Sequence, residues 1–144
     1  MTKIEMPLDA SAKAVLERAV EESARLHHEY VGTEHLALSL LRLTPGIATS
    51  VLQDLGVDVA AVRSAIESAV PPAAPSSEPA GSRPFTTRAQ HVYALAQESA
   101  LALGETALGA EHLLVGLLQE PGIGGQVLVH HGLTADAVLA ALRD

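Results

Sequence analysis

The sequence is one pattern written twice. Gly32-Thr33-Glu34-His35-Leu36 returns as Gly109-Ala110-Glu111-His112-Leu113, an offset of 77 residues. At that offset Ala12, Val15, Leu16, Ala19, Ser23 and Leu26 map onto Ala89, Val92, Tyr93, Ala96, Ala100 and Leu103. Pro45-Gly46-Ile47, Val51-Leu52 and Gly56 return as Pro121-Gly122-Ile123, Val127-Leu128 and Gly132 at an offset of 76, so the second copy has lost one residue in its turn. So many ordered matches do not arise by chance, and a repeat must be read before any other feature. We therefore divide the 144 residues into a first repeat over 1–70, a linker over 71–84 and a second repeat over 85–144, together making one compact domain.

Each copy reads as four helices. Residues 12, 15, 16, 19, 23 and 26, apolar but for Ser23, recur at helical spacing and predict a first helix from about Ala10 to Leu26, with Asp9 as N-cap. A second helix starts at Thr33, read as a cap, carries Leu36, Leu40 and Leu41, and ends near Thr44-Pro45-Gly46. Pro45 suits the first turn of a third helix, because proline lacks the N–H that a first turn leaves unpaired. That helix stops at Gly56, and a fourth runs from about Val59 to Val70. The second copy predicts helices at about Thr87–Leu103 (N-cap Thr86), Ala110–Gln119, Gly122–His131 and Ala135–Leu142. The proline-rich stretch from Pro71 to Pro84 reads as an extended linker that no helix crosses. Alternating β-branched runs are absent, so the fold class is all-α, two tandem four-helix repeats. With aromatics at 2%, the core must come from Ala, Leu and Val, which suit close helix packing.

Most chemistries are closed to such a chain. There is no Gly-x-x-x-x-Gly-Lys-Ser/Thr run, no Gly-x-Gly-x-x-Gly after a strand and no Gly-x-Ser-x-Gly elbow. No cysteine means no thiolate nucleophile, thiolate metal site or disulfide, which fits a reducing cytosol. His27-His28-Glu29 lacks the second histidine of a zinc motif, since Gly32 stands there, and His130 and His131 are neighbours that point apart on a helix. The histidines read as surface groups near helix ends, and His35 and His112 as satisfied polar groups under a loop. No metal, cofactor or catalytic residue is expected, and the chain is read as no enzyme. A formal charge of −8 without a basic stripe argues against nucleic acid and favours cationic or arginine-bearing peptides. The polar start Met1-Thr2-Lys3-Ile4-Glu5 has no apolar run behind it, and no stretch approaches a membrane span, so a cytoplasmic location is expected, with no membrane partner.

Two residues stand out. Glu34 and Glu111 each lie in a first helical turn, where a carboxylate stabilises the helix dipole by about 0.3–1 kcal/mol. Equally, both carboxylates fit a cleft that receives a guanidinium in bidentate fashion. Thr86-Thr87 before Arg88 makes a phosphate-contacting corner, whereas Asp9 puts a negative charge where an anion would sit.

Phe85-Thr86-Thr87-Arg88-Ala89, Ala94-Leu95-Ala96-Gln97-Glu98 and Gly109-Ala110-Glu111-His112-Leu113-Leu114-Val115-Gly116-Leu117 resemble the Clp N-terminal repeat domain. That domain heads the ClpC- and ClpA-type AAA+ unfoldases. The resemblance spans about Leu8 to Leu142. It implies a pseudo-twofold, eight-helix domain that recognises unfolded proteins, degrons or adaptors for Clp proteolysis. In ClpC-type members it implies pockets for phosphoarginine, with the motif glutamate on the guanidinium and a threonine near the first helix on the phosphate. Carried over by position, this selects Glu111 with Thr86, and Glu34 in the first copy, with Thr33, Phe85 and Leu8 as neighbouring ligand-binding positions. The departures are Asp9 at the first-copy threonine position, Leu8 at the phenylalanine position and Ala110 where the first copy has Thr33. The pocket of Glu111 and Thr86 is therefore expected to be the working one. No AAA+ module is present in the chain, so the resemblance is to a free-standing form. Such a form serves as a receptor for protein or peptide ligands. Alternatively it is a decoy that sequesters cyclic-peptide antibiotics or competes with a ClpC-type unfoldase, or a self-associating helical scaffold.

Overall fold

The computed structural model describes residues 6–43, 46–73, 84–120 and 122–143. Within them lie eight helices: α1 (Ala10–Arg25), α2 (Thr33–Arg42), α3 (Ile47–Asp54), α4 (Val59–Ala69), α5 (Thr87–Ala102), α6 (Ala110–Gln119), α7 (Ile123–His130) and α8 (Ala135–Arg143). The caps at Asp9 and Thr86 form as expected, each side chain accepting from the third N–H of its helix. Thr33 is not a cap: Gly32 is, and Thr33 is the first helical residue. The reason lies one turn on, where His35 reaches back and its Nδ1 accepts the Gly32 N–H at 2.9 Å, the role a glutamate plays in a capping box. Ala110 occupies the same first helical position, so its lack of a hydroxyl removes no cap. The third helix starts at Ile47 behind Gly46, and Pro45 lies outside the described residues. It ends before Gly56, whose φ of 79° is the left-handed conformation that closes a helix.

The two copies do not pack as separate bodies. α1 lies on α2 and α5 on α6, as one copy each. Across the copies α2 packs on α7 and α6 on α3, while α4 meets α7 and α8 meets α3. Exchanging the copies turns each of these six contacts into another of the six, the signature of a pseudo-twofold arrangement. α2 and α6 are its centre. Leu36, Leu38, Leu40 and Leu41 of α2 and Leu113, Leu114 and Leu117 of α6 are at most 2% exposed, and one core joins both copies. Burying each such leucine contributes about 1.5–3 kcal/mol, so these two helices carry much of the hydrophobic stabilisation. Around them, Ala12, Val15 and Ala19 of α1 and Ala89, Val92 and Ala96 of α5 present the small, fully inward faces that the spacing announced.

A charged strap ties three helices of the first copy. The buried Glu22 carboxylate of α1 pairs with Arg42 of α2 and with Arg25, and both arginines reach Glu67 of α4. Of the linker, Pro71–Ala73 and Pro84 are described. Its first residues hold to the end of the first helix, with Ala73 N–H donating to Leu26 O at 2.9 Å. The rest of the expected linker, 74–83, lies outside the described residues. No single described helix is long and apolar enough to cross a membrane.

Candidate functional site

The segments before the helices cross over between the copies. Val31, just before α2, pairs with Phe85, just before α5, in an isolated parallel bridge. Its hydrogen bonds run from Val31 N–H to Pro84 O and from Thr86 N–H to Val31 O, both 2.9 Å. Leu8, before α1, pairs in the same way with Leu108, before α6. Leu8 and Phe85 are half-buried and pack against the core. Each bridge therefore sets the N-terminus of one copy's first helix beside the N-terminus of the other copy's second helix.

This corrects the pairing read from the repeats. Thr86 stands with Glu34, not with Glu111, and Asp9 stands with Glu111. A cleft of about 490 Å³ is lined by Tyr30, Gly32, Thr33, Glu34, Thr86, Thr87, Arg88, Gly122, Ile123 and Gln126. Glu34 is only 6% exposed. Its carboxylate folds back over Gly32, where a Cβ would stand 2.1 Å from Oε1, so the glycine of the repeated Gly-x-Glu motif is there to admit the carboxylate. Glu111 lies over Gly109 in the same manner.

Tyr30 orients Glu34, donating its hydroxyl to Oε2 at 3.2 Å. Burial, and then the negative charge of Glu34 and the bond to it, push the Tyr30 phenol above its ordinary pKa of 10.0. The ring stacks on His28 with centroids 5.3 Å apart. His28 in turn faces His35 at 2.7 Å. Because His35 Nδ1 accepts the Gly32 N–H, its proton sits on Nε2 and is donated to His28 Nδ1. That leaves the His28 Nε2–H for Pro71 O at 3.2 Å. His35 is thus a satisfied group under the loop, and His28, expected at the surface, is buried beside it. Thr33 is 3% exposed, and its hydroxyl accepts the Gly124 N–H at 3.3 Å, anchoring the start of α7 at the cleft.

The second site keeps the back-bond, Gly109 N–H donating to His112 Nδ1 at 2.8 Å, and loses the ring supports. Glu105 and Ala107 replace His28 and Tyr30 at the 77-residue offset. Glu111 Oε1 and His112 Nε2 are buried without a hydrogen-bond partner among the described residues. Opposite them stands Asp9, which accepts from Ser11 Oγ at 2.6 Å and from Ala12 N–H at 3.0 Å. Ser11 Oγ also accepts the Ala110 N–H at 3.0 Å, closing this junction on itself. Burial raises the Asp9 carboxyl, but the bonds from Ser11 and Ala12 and the nearby His112 outweigh it and hold the group below its ordinary value, hence ionised. The cleft joins a carboxylate to a threonine cap and an arginine; the second junction joins two carboxylates.

Arg88, the cation of the first cleft, donates from Nη1 to Glu120 Oε1 at 3.0 Å. Glu120 is 4% exposed, and its second oxygen meets His91 Nδ1. Tyr30, Ile123, Gln126 and the Glu120 anchor were not found by sequence reasoning. The Tyr30-for-Ala107 difference between copies was the available signal. Among the described residues no group of three or more His, Asp or Glu side chains converges as a metal site.

The family model of the Clp repeat (R) N-terminal domain matches residues 8–131 of this chain. Chaperone protein ClpB of Oceanobacillus iheyensis is 37% identical over 124 residues, which is 85% of this chain and 15% of that protein. The chloroplastic ClpC of Pisum sativum is 40% identical over 119 residues, 82% of this chain and 13% of that protein. The chain thus spans about 13–15% of the length of these relatives. Among solved structures, the N-terminal domain of ClpD from Arabidopsis thaliana matches with a TM-score of 0.71 at 22% identity, 100% of each chain being covered. The N-domain of ClpV from Vibrio cholerae matches at 0.79 with 18% identity, over 99% of this chain and 89% of that one. A ClpV N-domain in complex with a VipB peptide matches at 0.73 with 20% identity, over 97% and 94%. At these identities the solved structures speak for the fold.

Proposed function

Because this chain belongs to the Clp repeat N-terminal domain family, we propose that it is a non-enzymatic recognition module for protein or peptide ligands, and that its working site is the cleft between Glu34 and Thr86. The ligand group is an arginine side chain in its phosphorylated form, presented by a substrate, degron or adaptor linked to Clp proteolysis. One observation carries this: a buried, tyrosine-oriented carboxylate faces a helix N-terminus and an arginine across a single cleft. A guanidinium fits the carboxylate with paired N–H donors, and a phosphoryl group fits the N–H groups of the first turn of α5. The complex of a ClpV N-domain with a VipB peptide supports peptide recognition as a use of this fold.

The pseudo-equivalent junction is a poor phosphate site, because the ionised Asp9 occupies the cap and stands beside Glu111. An apolar macrocycle docking at Leu8 and Phe85, the decoy reading, draws less support, since both side chains are half-buried against the core.

Calorimetric titration with a phosphoarginine peptide, with the unphosphorylated peptide as control, tests the reading. Saturable binding of the phosphopeptide at one site per chain is expected, with much weaker binding of the control. Absence of heat from either peptide, with the protein folded, contradicts it.

A further inference from the structure

We infer that Arg88 is the specificity-determining residue of the Glu34 cleft, gripping the anionic end of a dipolar side chain and rejecting a purely cationic one. The inference rests on the reading of this cleft as a guanidinium site. Its basis is how Arg88 is mounted. The side chain is 61% exposed and lines the cleft, yet one guanidinium N–H is fixed to a carboxylate that is itself 4% exposed. A guanidinium carries five N–H donors, so one bond to Glu120 leaves donors to present to a ligand. Glu120 terminates α6 and is held on its other oxygen by His91 of α5. The mount is therefore rigid at its base and charged at its tip.

The ion pair is only in part a support of the fold. Arg88 is 61% exposed, which screens its charge, and the buried Glu120 keeps His91 as a second partner. The comparison between copies points the same way. At the 77-residue offset Arg88 becomes Ser11, and His91 becomes Ala14, in the copy whose cap is Asp9. Cation, mount and neutral cap change together, so they belong to one function of one cleft.

The charge pattern then sorts ligands. Glu34 is at one wall and Arg88 at another. A phosphorylated guanidinium places its positive part at Glu34 and its negative part at Arg88 and the α5 N-terminus. Unmodified arginine or lysine satisfies Glu34 but sets a like charge against Arg88, which disfavours it.

The test is calorimetry of wild type, Arg88→Gln and Arg88→Lys with a phosphoarginine peptide and its unmodified arginine counterpart, beside thermal melts. Arg88→Gln is expected to weaken phosphopeptide binding about 10- to 100-fold, as loss of a charge-assisted contact does, and to leave the unmodified peptide unchanged or tighter. Arg88→Lys is expected to restore part of the loss, and both variants are expected to melt cooperatively as folded proteins. An equal loss for both peptides would make Arg88 a shaping residue and overturn the inference while leaving the cleft assignment intact. Unchanged phosphopeptide binding would overturn it in the same way. A wild type that binds neither peptide removes the reading of the cleft and the inference with it.

Discussion

Glu34→Gln is expected to weaken phosphoarginine-peptide binding by about 30-fold or more, corresponding to the ~2–5 kcal/mol lost when one partner of a buried charged contact is removed. Glu111→Gln is expected to change it by less than about 3-fold, the scale of a substitution remote from the ligand. Glutamine keeps the shape of the side chain and an oxygen for the Tyr30 hydroxyl, so the first variant removes charge while preserving the wall of the cleft. Pairing by repeat number gives the opposite expectation, because it assigns Thr86 to Glu111. The two bridges decide between them: they carry the α5 N-terminus to Val31 and the α1 N-terminus to Leu108. Isothermal titration of both variants, with melts to show that each is folded, is sufficient. A larger loss in Glu111→Gln than in Glu34→Gln would mean that the assigned cleft is the wrong one of the two.

The second large effect concerns the fold. Gly116→Val is expected to destabilise the protein by about 3 kcal/mol, lowering Tm by roughly 10 °C, as overpacking at a rigid backbone contact does in a chain of this size. Gly116 lies where α6 crosses α5, and a Cβ there would stand 2.5 Å from Val92 O and 3.2 Å from Ala96 N. Both are backbone atoms, which cannot turn aside as a side-chain tip can. The first copy solves the same crossing differently: Ser39, the counterpart of Gly116, donates its hydroxyl to Val15 O at 2.6 Å. Gly116→Ser is therefore expected to cost less than Gly116→Val, since its hydroxyl recovers a bond that valine lacks. Thermal denaturation followed by circular dichroism reads both. A valine variant melting within about 2 °C of wild type would show that the two helices do not approach so closely.

Much of this architecture was legible in the chain. Apolar positions such as Ala12, Val15 and Ala19 report their own burial, because helical periodicity is a local property, and the duplication doubles every such signal. The caps at Asp9 and Thr86 were legible for the same reason. Thr33 misled, because threonine is a good cap by itself and only the back-bond from His35 to Gly32 shows that the cap lies one residue earlier. His28 misled likewise. Its burial depends on His35 and Pro71, contacts that no residue spacing announces. Glu34, Glu111 and Thr86 stand out in the sequence, yet which of them share a junction does not. In a duplicated chain each half is an equally good partner for either, and sequence periodicity is silent on which junction the backbone bridges close. The difference between the copies does speak: Tyr30 against Ala107, Arg88 against Ser11 and Thr86 against Asp9 set the two junctions apart in charge and shape.

Chemical-shift mapping of the ¹⁵N-labelled protein titrated with a phosphoarginine peptide measures the location of the site directly. The account requires the largest shifts at Tyr30–Glu34, Thr86–Arg88 and Ile123–Gln126, three segments that meet only through the crossing of the two copies. Shifts centred instead on Asp9–Ser11 and Leu108–Glu111 would contradict it and hand recognition to the doubly acidic junction.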